Sequence, residues 1–288
     1  MPSSASSSTA ASSDTSTHPI ASPSSAPASS TTSWPQTLWL IRHGQSAGNV
    51  ARDAAEAGGL PVIDLAWRDI DVPLSDLGVQ QAEAVGDWFG RLPPDERPEV
   101  ILCSPYVRAR ETARLLAGSA GLGAAQGVRL RIDERLREKE FGILDRLTRF
   151  GIQQKHPELD EQRGHVGKFY FRPPGGESWC DVILRLRSLL EMMTREYAGQ
   201  RVLVVGHQVI VNCMRYLLEH MDEHRILDID RQGDVPNCAV TSYRARPDDS
   251  PADRDDVMTL DLVNFLAPLR EAATPVTSAP DEQTAPKP

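Results

Sequence analysis

The stretch TLWLIRHGQS, residues 37–46, runs an apolar segment straight into an Arg-His-Gly turn. An unbroken apolar run without polar alternation suits a strand covered on both faces, as in a parallel sheet packed between helices. Two further runs repeat it, EVILC at 99–103 and RVLVVG at 201–206. Weaker strand candidates are 128–132 (VRLRI) and 239–244 (AVTSYR), with 257–263 (VMTLDLV) as an edge strand. Segments of helical period separate them. Ser75 caps a helix whose Ala82, Val85 and Phe89 share one face. Ser104-Pro105 opens a second helix, with Pro where an amide would go unpaired. A capping-box variant, Ser178-Trp179-Cys180-Asp181, opens a third with the stripe Val182, Leu186, Leu189 and Met193. A fourth follows Gly206 to about Glu219. Strands alternating with helices predict an α/β fold, a three-layer sandwich with a mostly parallel central sheet flanked by helices.

The outer segments read differently. Residues 1–34 are almost entirely Ser, Ala, Thr and Pro, too polar and small to offset the entropy of ordering, and are expected to form a disordered tail. The folded domain is expected over 35–268, with a second disordered tail, rich in Pro, Ala and Thr, over 269–288. No Lys or Arg precedes Arg42, so the start has neither a secretory nor a transit-peptide character. Cys103, Cys180, Cys213 and Cys238 are widely spaced without a CxxC pair, which fits a reduced, cytoplasmic protein. A net charge of -9 argues against nucleic-acid and membrane partners, since both need clustered Lys and Arg. An anionic ligand must therefore meet a local positive cluster.

The strand ends supply one. In open α/β sheets ligands sit beyond the carboxyl ends of the strands. There the first run delivers Arg42 and His43, and Gly44 is expected to let backbone approach a ligand. The second run leads to Ser104-Pro105-Tyr106-Val107-Arg108, with Arg108 in the first helical turn and Thr112 one turn on. The third ends in His207-Gln208 at a helix N-terminus, where backbone amides suit a phosphate. Each feature alone has a plainer reading: a structural His, a solvated face of Arg110, Glu111 and Arg114, a capping His. Separate strands delivering Arg or His to one end of one sheet favour a site.

Arg42-His43-Gly44-Gln45-Ser46, the Ser-Pro-x-x-Arg-Ala-x-x-Thr-Ala motif from Ser104, Leu136-Arg137-Glu138-Lys139-Glu140-Phe141-Gly142 and Val-Val-Gly-His ending at His207 stand in an order that resembles the histidine phosphatase (phosphoglycerate mutase-like) superfamily. The resemblance covers residues 37 to about 244. It implies that His43 is the nucleophile, that Arg42, Arg108 and His207 hold the phosphoryl oxygens, and that Glu138 is the proton donor. The Leu-x-Glu-x-x-x-Gly spacing ending at Gly142 selects Glu138 over Glu140. The chemistry is consistent, because a transferring phosphoryl group needs in-line positioning and cations. His43 must be neutral, its second nitrogen donating to a fixed acceptor such as a backbone carbonyl. No cofactor or metal is required, and His220 and His224, set among Glu219, Asp222 and Glu223, read as a solvated helix end.

Residues 167–178, followed by His207-Gln208, resemble the fructose-2,6-bisphosphatase branch more than the mutase branch. By that resemblance Lys168, Tyr170, Arg172 and Gln208 line the substrate side. The plainer alternative is a Pro- and Gly-stiffened connection with its aromatics packed beneath. Asn49 matches a substrate-phosphate contact of the family's mutases. Where the fructose-2,6-bisphosphatase pattern has a second Arg, Asn212 stands, so a different substrate is expected. No Gly-rich Lys-Ser or Lys-Thr phosphate loop is present, which excludes a fused P-loop kinase domain. The expected activity is therefore a phosphatase acting on a small phosphorylated metabolite. The alternatives are phosphoglycerate mutase-type transfer, disfavoured by a short 139–176 segment, and a non-catalytic phospho-ligand module, disfavoured because His43 and Glu138 are both present.

Overall fold

Side chains of the three apolar runs alternate between two faces, and both faces are covered. The structure is a computed structural model that describes residues 33–246 and 258–278. Its strands are β1 (Thr37–Arg42), β2 (Val100–Cys103), β3 (Arg129–Ile132), β4 (Arg201–Gly206), β5 (Val240–Ala245) and β6 (Met258–Phe265). Helices α1 (Ala47–Ala57), α2 (Asp76–Arg91), α3 (Val107–Ser119), α4 (Arg149–Lys155) and α5 (Pro157–Val166) precede α6 (Trp179–Glu196), α7 (Gln208–Leu218), α8 (Glu223–Gln232) and α9 (Ala267–Glu271). On one face Leu38, Leu40, Leu102, Val202 and Val204 pack against α6 and α7 through residues such as Leu186, Leu189 and Ile210. On the other, Trp39, Ile41, Ile101, Leu203 and Val205 meet Ala82, Val85 and Phe89 of α2 and Ala113 and Leu116 of α3. Each fully buried aliphatic or aromatic side chain contributes roughly 1.5–3 kcal/mol against the entropy of folding.

The six strands lie in the order β3-β2-β4-β1-β5-β6. β1, β4, β2 and β3 pair in parallel, and β5 and β6 are antiparallel. The three-layer α/β sandwich is therefore as expected, with β6 at one edge. At the other edge β3 is exposed throughout, and its Arg129 and Arg131 lie over the ring of Tyr197. Charged residues on an edge strand discourage pairing with another chain. In the parallel register Arg42 faces Gly206 and Cys103 faces Val205, so β1, β2 and β4 end side by side. The residues immediately beyond these three strand ends therefore converge.

Some expectations need correcting. The second helix begins at Val107, two residues after Pro105, with extended Tyr106 as the N-cap whose carbonyl accepts the amides of Ala109 and Arg110. The domain also continues past residue 268. Leu269 on α9 is fully buried, and Pro275 and Thr277 bond Gln81 and Asn237. Composition averages away a single apolar anchor and says nothing of backbone hydrogen bonds. At the other end the carbonyl of Trp34 accepts from the Gly199 amide. The remainder of both expected tails, 1–32 and 279–288, lies outside the described residues.

Candidate active site

His43 is the first residue beyond β1, and its amide donates to the Gly206 carbonyl at 2.9 Å. Its ring is almost wholly buried, with Nδ1 2.7 Å from the Gly44 carbonyl oxygen. A carbonyl only accepts, so Nδ1 carries the proton in the neutral ring. Burial, then the charges of Arg108 and Arg42, hold the His43 pKa well below the usual imidazole value, against a small upward pull from the Gly44 bond. The ring is thus neutral at physiological pH, with the Nε2 lone pair bare. The loop is held from several sides: Gly44 N–H donates to Thr112 Oγ1 at 3.0 Å, and the His43 carbonyl accepts from Asn237 Nδ2 at 3.0 Å. Gly44 plays a different part from the expected one. A Cβ there would lie 2.5 Å from the Gly78 carbonyl oxygen, so its bareness admits the start of α2, not a ligand.

Arg42 and His207 flank that ring. Arg42 is fully buried, its Nη1 donating to the Val235 carbonyl (2.6 Å) and to Gln208 Oε1 (3.0 Å). Gln208 in turn donates to Asp234 at 3.1 Å, so both ends of its amide are taken up in orienting Arg42, and none of Arg42, His207 and Gln208 lines the cleft surface itself. His207, at the N-cap of α7, makes no capping bond. Its ring centroid lies 5.2 Å from that of His43 and 5.1 Å from that of Tyr106. Nε2 is 2.8 Å from Ser104 Oγ, which already accepts the Tyr106 amide at 3.3 Å. A carboxylate facing Nδ1 favours the proton on that nitrogen, and the Ser104 hydroxyl, which can donate or accept, then donates to Nε2. Burial first, then Arg108, His43, Arg42 and Arg185, lower the His207 pKa well below its ordinary value. His207 Nδ1 lies 3.6 Å from Glu138 Oε2.

Arg108, on the first turn of α3, lines the cleft and meets the Asp69 carboxylate at 3.0 Å and its carbonyl at 2.6 Å. Its guanidinium sits 4.8 Å from the Tyr106 ring centroid. Glu138 is 2% exposed and lines the same cleft, Oε1 accepting the Lys139 amide at 2.7 Å. Arg185 reaches from α6 to the Glu138 carbonyl (3.2 Å) while paired with Glu177, pinning the turn. Glu140 instead accepts from the Tyr106 hydroxyl and does not line the cleft. Asn49 does, and its Oδ1 accepts the Ser46 amide in the capping box of α1.

Lys168, Tyr170 and Arg172 are not brought to this cleft. Lys168 pairs with Asp230 at 2.7 Å over the Trp179 ring, Tyr170 is 54% exposed and engages Glu223, and Arg172 pairs with Asp181. The 167–178 loop is the stiffened connection, with Phe169 and Phe171 buried beneath it. Sequence reasoning missed cleft residues instead: Arg52, Asp69, Asp145 and Arg146. Arg146 has φ 60°, a left-handed conformation costing a bulky residue roughly 1–3 kcal/mol. Its guanidinium offsets this by donating to the Leu65 (3.2 Å) and Trp67 (2.5 Å) carbonyls across the cleft mouth. Only the charge at these positions is visible in the sequence, not where it points.

Fold and site together define an α/β protein in which paired imidazoles and buried guanidiniums meet at the carboxyl ends of parallel strands. The family model of the histidine phosphatase superfamily (branch 1) matches residues 38–251, and the chain belongs to that superfamily. Curated relatives include a 2,3-bisphosphoglycerate-dependent phosphoglycerate mutase of Sinorhizobium fredii, 26% identical over 76% of this chain and 94% of its own. A 6-phosphofructo-2-kinase/fructose-2,6-bisphosphatase of Caenorhabditis elegans is 31% identical over 62% of this chain and 33% of its own. Among solved structures, mycobacterial hydrolase 1 is 25% identical with a TM-score of 0.60, covering 80% of this chain and 98% of its own. Mycobacterial glucosyl-3-phosphoglycerate phosphatase, at 24% identity and a TM-score of 0.58, covers 80% of this chain and 99% of its own and shares the fold.

Proposed function

We propose that the chain is a phosphoric monoester hydrolase that cleaves a small phosphorylated metabolite through a phosphohistidine on His43. The observation that carries this is the His43 ring itself, neutral with Nδ1 tied to the Gly44 carbonyl, in a cleft shared with Arg108 and Glu138. Nε2 attacks phosphorus as the P–O bond to the leaving alcohol breaks, and Glu138 gives that oxygen its proton. Water then attacks the phosphohistidine, Glu138 takes the proton back, and His43 leaves neutral. Arg42, Arg108 and the His207 Nδ1–H hold the charge on the equatorial oxygens, where fixed donors in a water-poor site lower the barrier most. The Asn49 amide contacts the substrate. A net charge of -9 favours such a metabolite over nucleic acid or membrane, and four free cysteines suit a reduced, cytoplasmic setting.

A second reading has one support: relatives named as phosphoglycerate mutases match over most of their length. Incubation with 3-phosphoglycerate and a bisphosphoglycerate primer separates the two, because a mutase forms 2-phosphoglycerate whereas a phosphatase releases phosphate. The hydrolase reading is tested with a generic aryl phosphate. Wild type is expected to turn it over and to carry acid-labile phosphate on His43, and folded His43→Ala to do neither. Wild-type rates in that variant would falsify the assignment.

A further inference from the structure

Two fully buried amides, Gln81 and Asn237, each hold the nucleophile loop at one end and the C-terminal segment at the other. Gln81 Oε1 accepts the Gln45 amide at 2.8 Å, while its Nε2 donates to the Pro275 carbonyl (2.9 Å) and to Thr277 Oγ1 (3.0 Å). Asn237 Nδ2 donates to the His43 carbonyl at 3.0 Å and approaches Asn49 Oδ1 at 3.5 Å. Its Oδ1 accepts from the Thr277 hydroxyl at 3.0 Å, and its backbone amide donates to the Thr277 carbonyl at 2.8 Å. The Thr277 hydroxyl therefore accepts from one amide and donates to the other. Buried Leu269 anchors the segment just upstream, and the Thr274 amide closes onto the Leu269 carbonyl at 2.8 Å.

A buried amide fixed at only one end swings, or leaves a polar atom unsatisfied. Here a swing would be transmitted inward, since Asn237 sets the His43 carbonyl and the next carbonyl, Gly44, fixes the ring through Nδ1. We infer that residues 274–278 form a strap that orients the catalytic loop, with Thr277 as a positioning residue for His43. This rests on the reading of His43 as the nucleophile.

The test is Thr277→Val in the full chain, compared with Thr277→Ser and with Val276→Ala, an exposed neighbour. Hydrolysis of an aryl phosphate gives kcat and KM, and hydrogen exchange reports on the amides of residues 44–49. Displacing a reacting group by a fraction of an ångström costs chemistry more than binding, so Thr277→Val is expected to lower kcat roughly tenfold and leave KM within about twofold. Exchange at the Gln45 amide should rise. Thr277→Ser should restore both, and Val276→Ala should alter neither. Wild-type kcat and exchange in Thr277→Val overturn the inference, as does an equal loss in Thr277→Ser or one that tracks the folded fraction. If the wild-type protein itself turns over no phosphomonoester, the functional reading fails, and the exchange data still decide whether the strap holds the loop.

Discussion

A neutral imidazole offers one donor and one acceptor, and the two neighbouring rings each have one nitrogen already committed: His43 to the Gly44 carbonyl, His207 to the Ser104 hydroxyl. The carbonyl leaves the His43 Nε2 with its lone pair, and in the proposed mechanism the hydroxyl leaves the His207 Nδ1 with its proton, so that two identical side chains would take opposite roles through their partners. Glu138 completes the set, and its role makes a prediction about leaving groups. Glu138→Gln keeps the size and the acceptor oxygen but has no proton to transfer. With alkyl phosphates, whose alkoxide needs a proton as the bond breaks, kcat should fall about 10²–10⁴-fold. With nitrophenyl phosphate, whose phenolate leaves unaided, the fall in the first step should be far smaller and a burst of phenolate should survive. Equal losses on both substrates would remove Glu138 from the acid role and return Glu140 to consideration.

At the scale of elements, the strands were readable because burial on both faces leaves an unbroken apolar run, and the candidate site lies at and just beyond the strand ends at 42, 103 and 206. Glu138 was reachable only through the motif spacing that ends at Gly142. Short charged helices such as α4 and α5 carry no clear apolar stripe, and α1 starts at a capping box whose third position is Asn49 in place of Glu or Gln. The supports of the site were invisible for a different reason: Asn237 lies 194 residues from the carbonyl it holds, and no local pattern records such a bond. The 167–178 loop shows the opposite error, since basic and aromatic residues there looked like a ligand site and proved to be an anchor. Its ion pair of Lys168 with Asp230 ties the loop to α8, and Arg172 with Asp181 ties it to the first turn of α6. Arg172→Ala should therefore leave kcat and KM within about twofold, as expected for an exposed pair remote from the chemistry. A KM raised tenfold for anionic substrates alone would put that guanidinium back in the substrate's path.

For the molecule as a whole, burying two imidazoles among cations has a thermodynamic cost that depends on pH. In the folded state both rings have pKa values held well below normal, chiefly by burial, whereas in the unfolded chain they titrate near the ordinary value of about 6.5. The unfolded state therefore binds more protons as pH falls below about 6.5, and stability must fall with it. The loss approaches about 1.4 kcal/mol per pH unit for each ring until its folded pKa is reached. Paired carboxylates add nothing in this window: Asp133, Glu177 and Asp181, held low by Arg and amide partners despite burial, lose their contribution only at more acidic pH. A net charge of -9 works the other way, since acidification relieves self-repulsion, so the imidazole share must be isolated by difference. Urea unfolding at pH 7.5 and 5.5 should show wild type losing about 2–3 kcal/mol more than the double variant His43→Gln, His207→Gln, which has no ring to protonate. The double variant should also be the flatter of the two in melting midpoint over that range. Parallel pH profiles for the two proteins would mean that the rings take up protons in the folded state just as they do in the unfolded chain, so that burial does not hold His43 neutral below about pH 6.5.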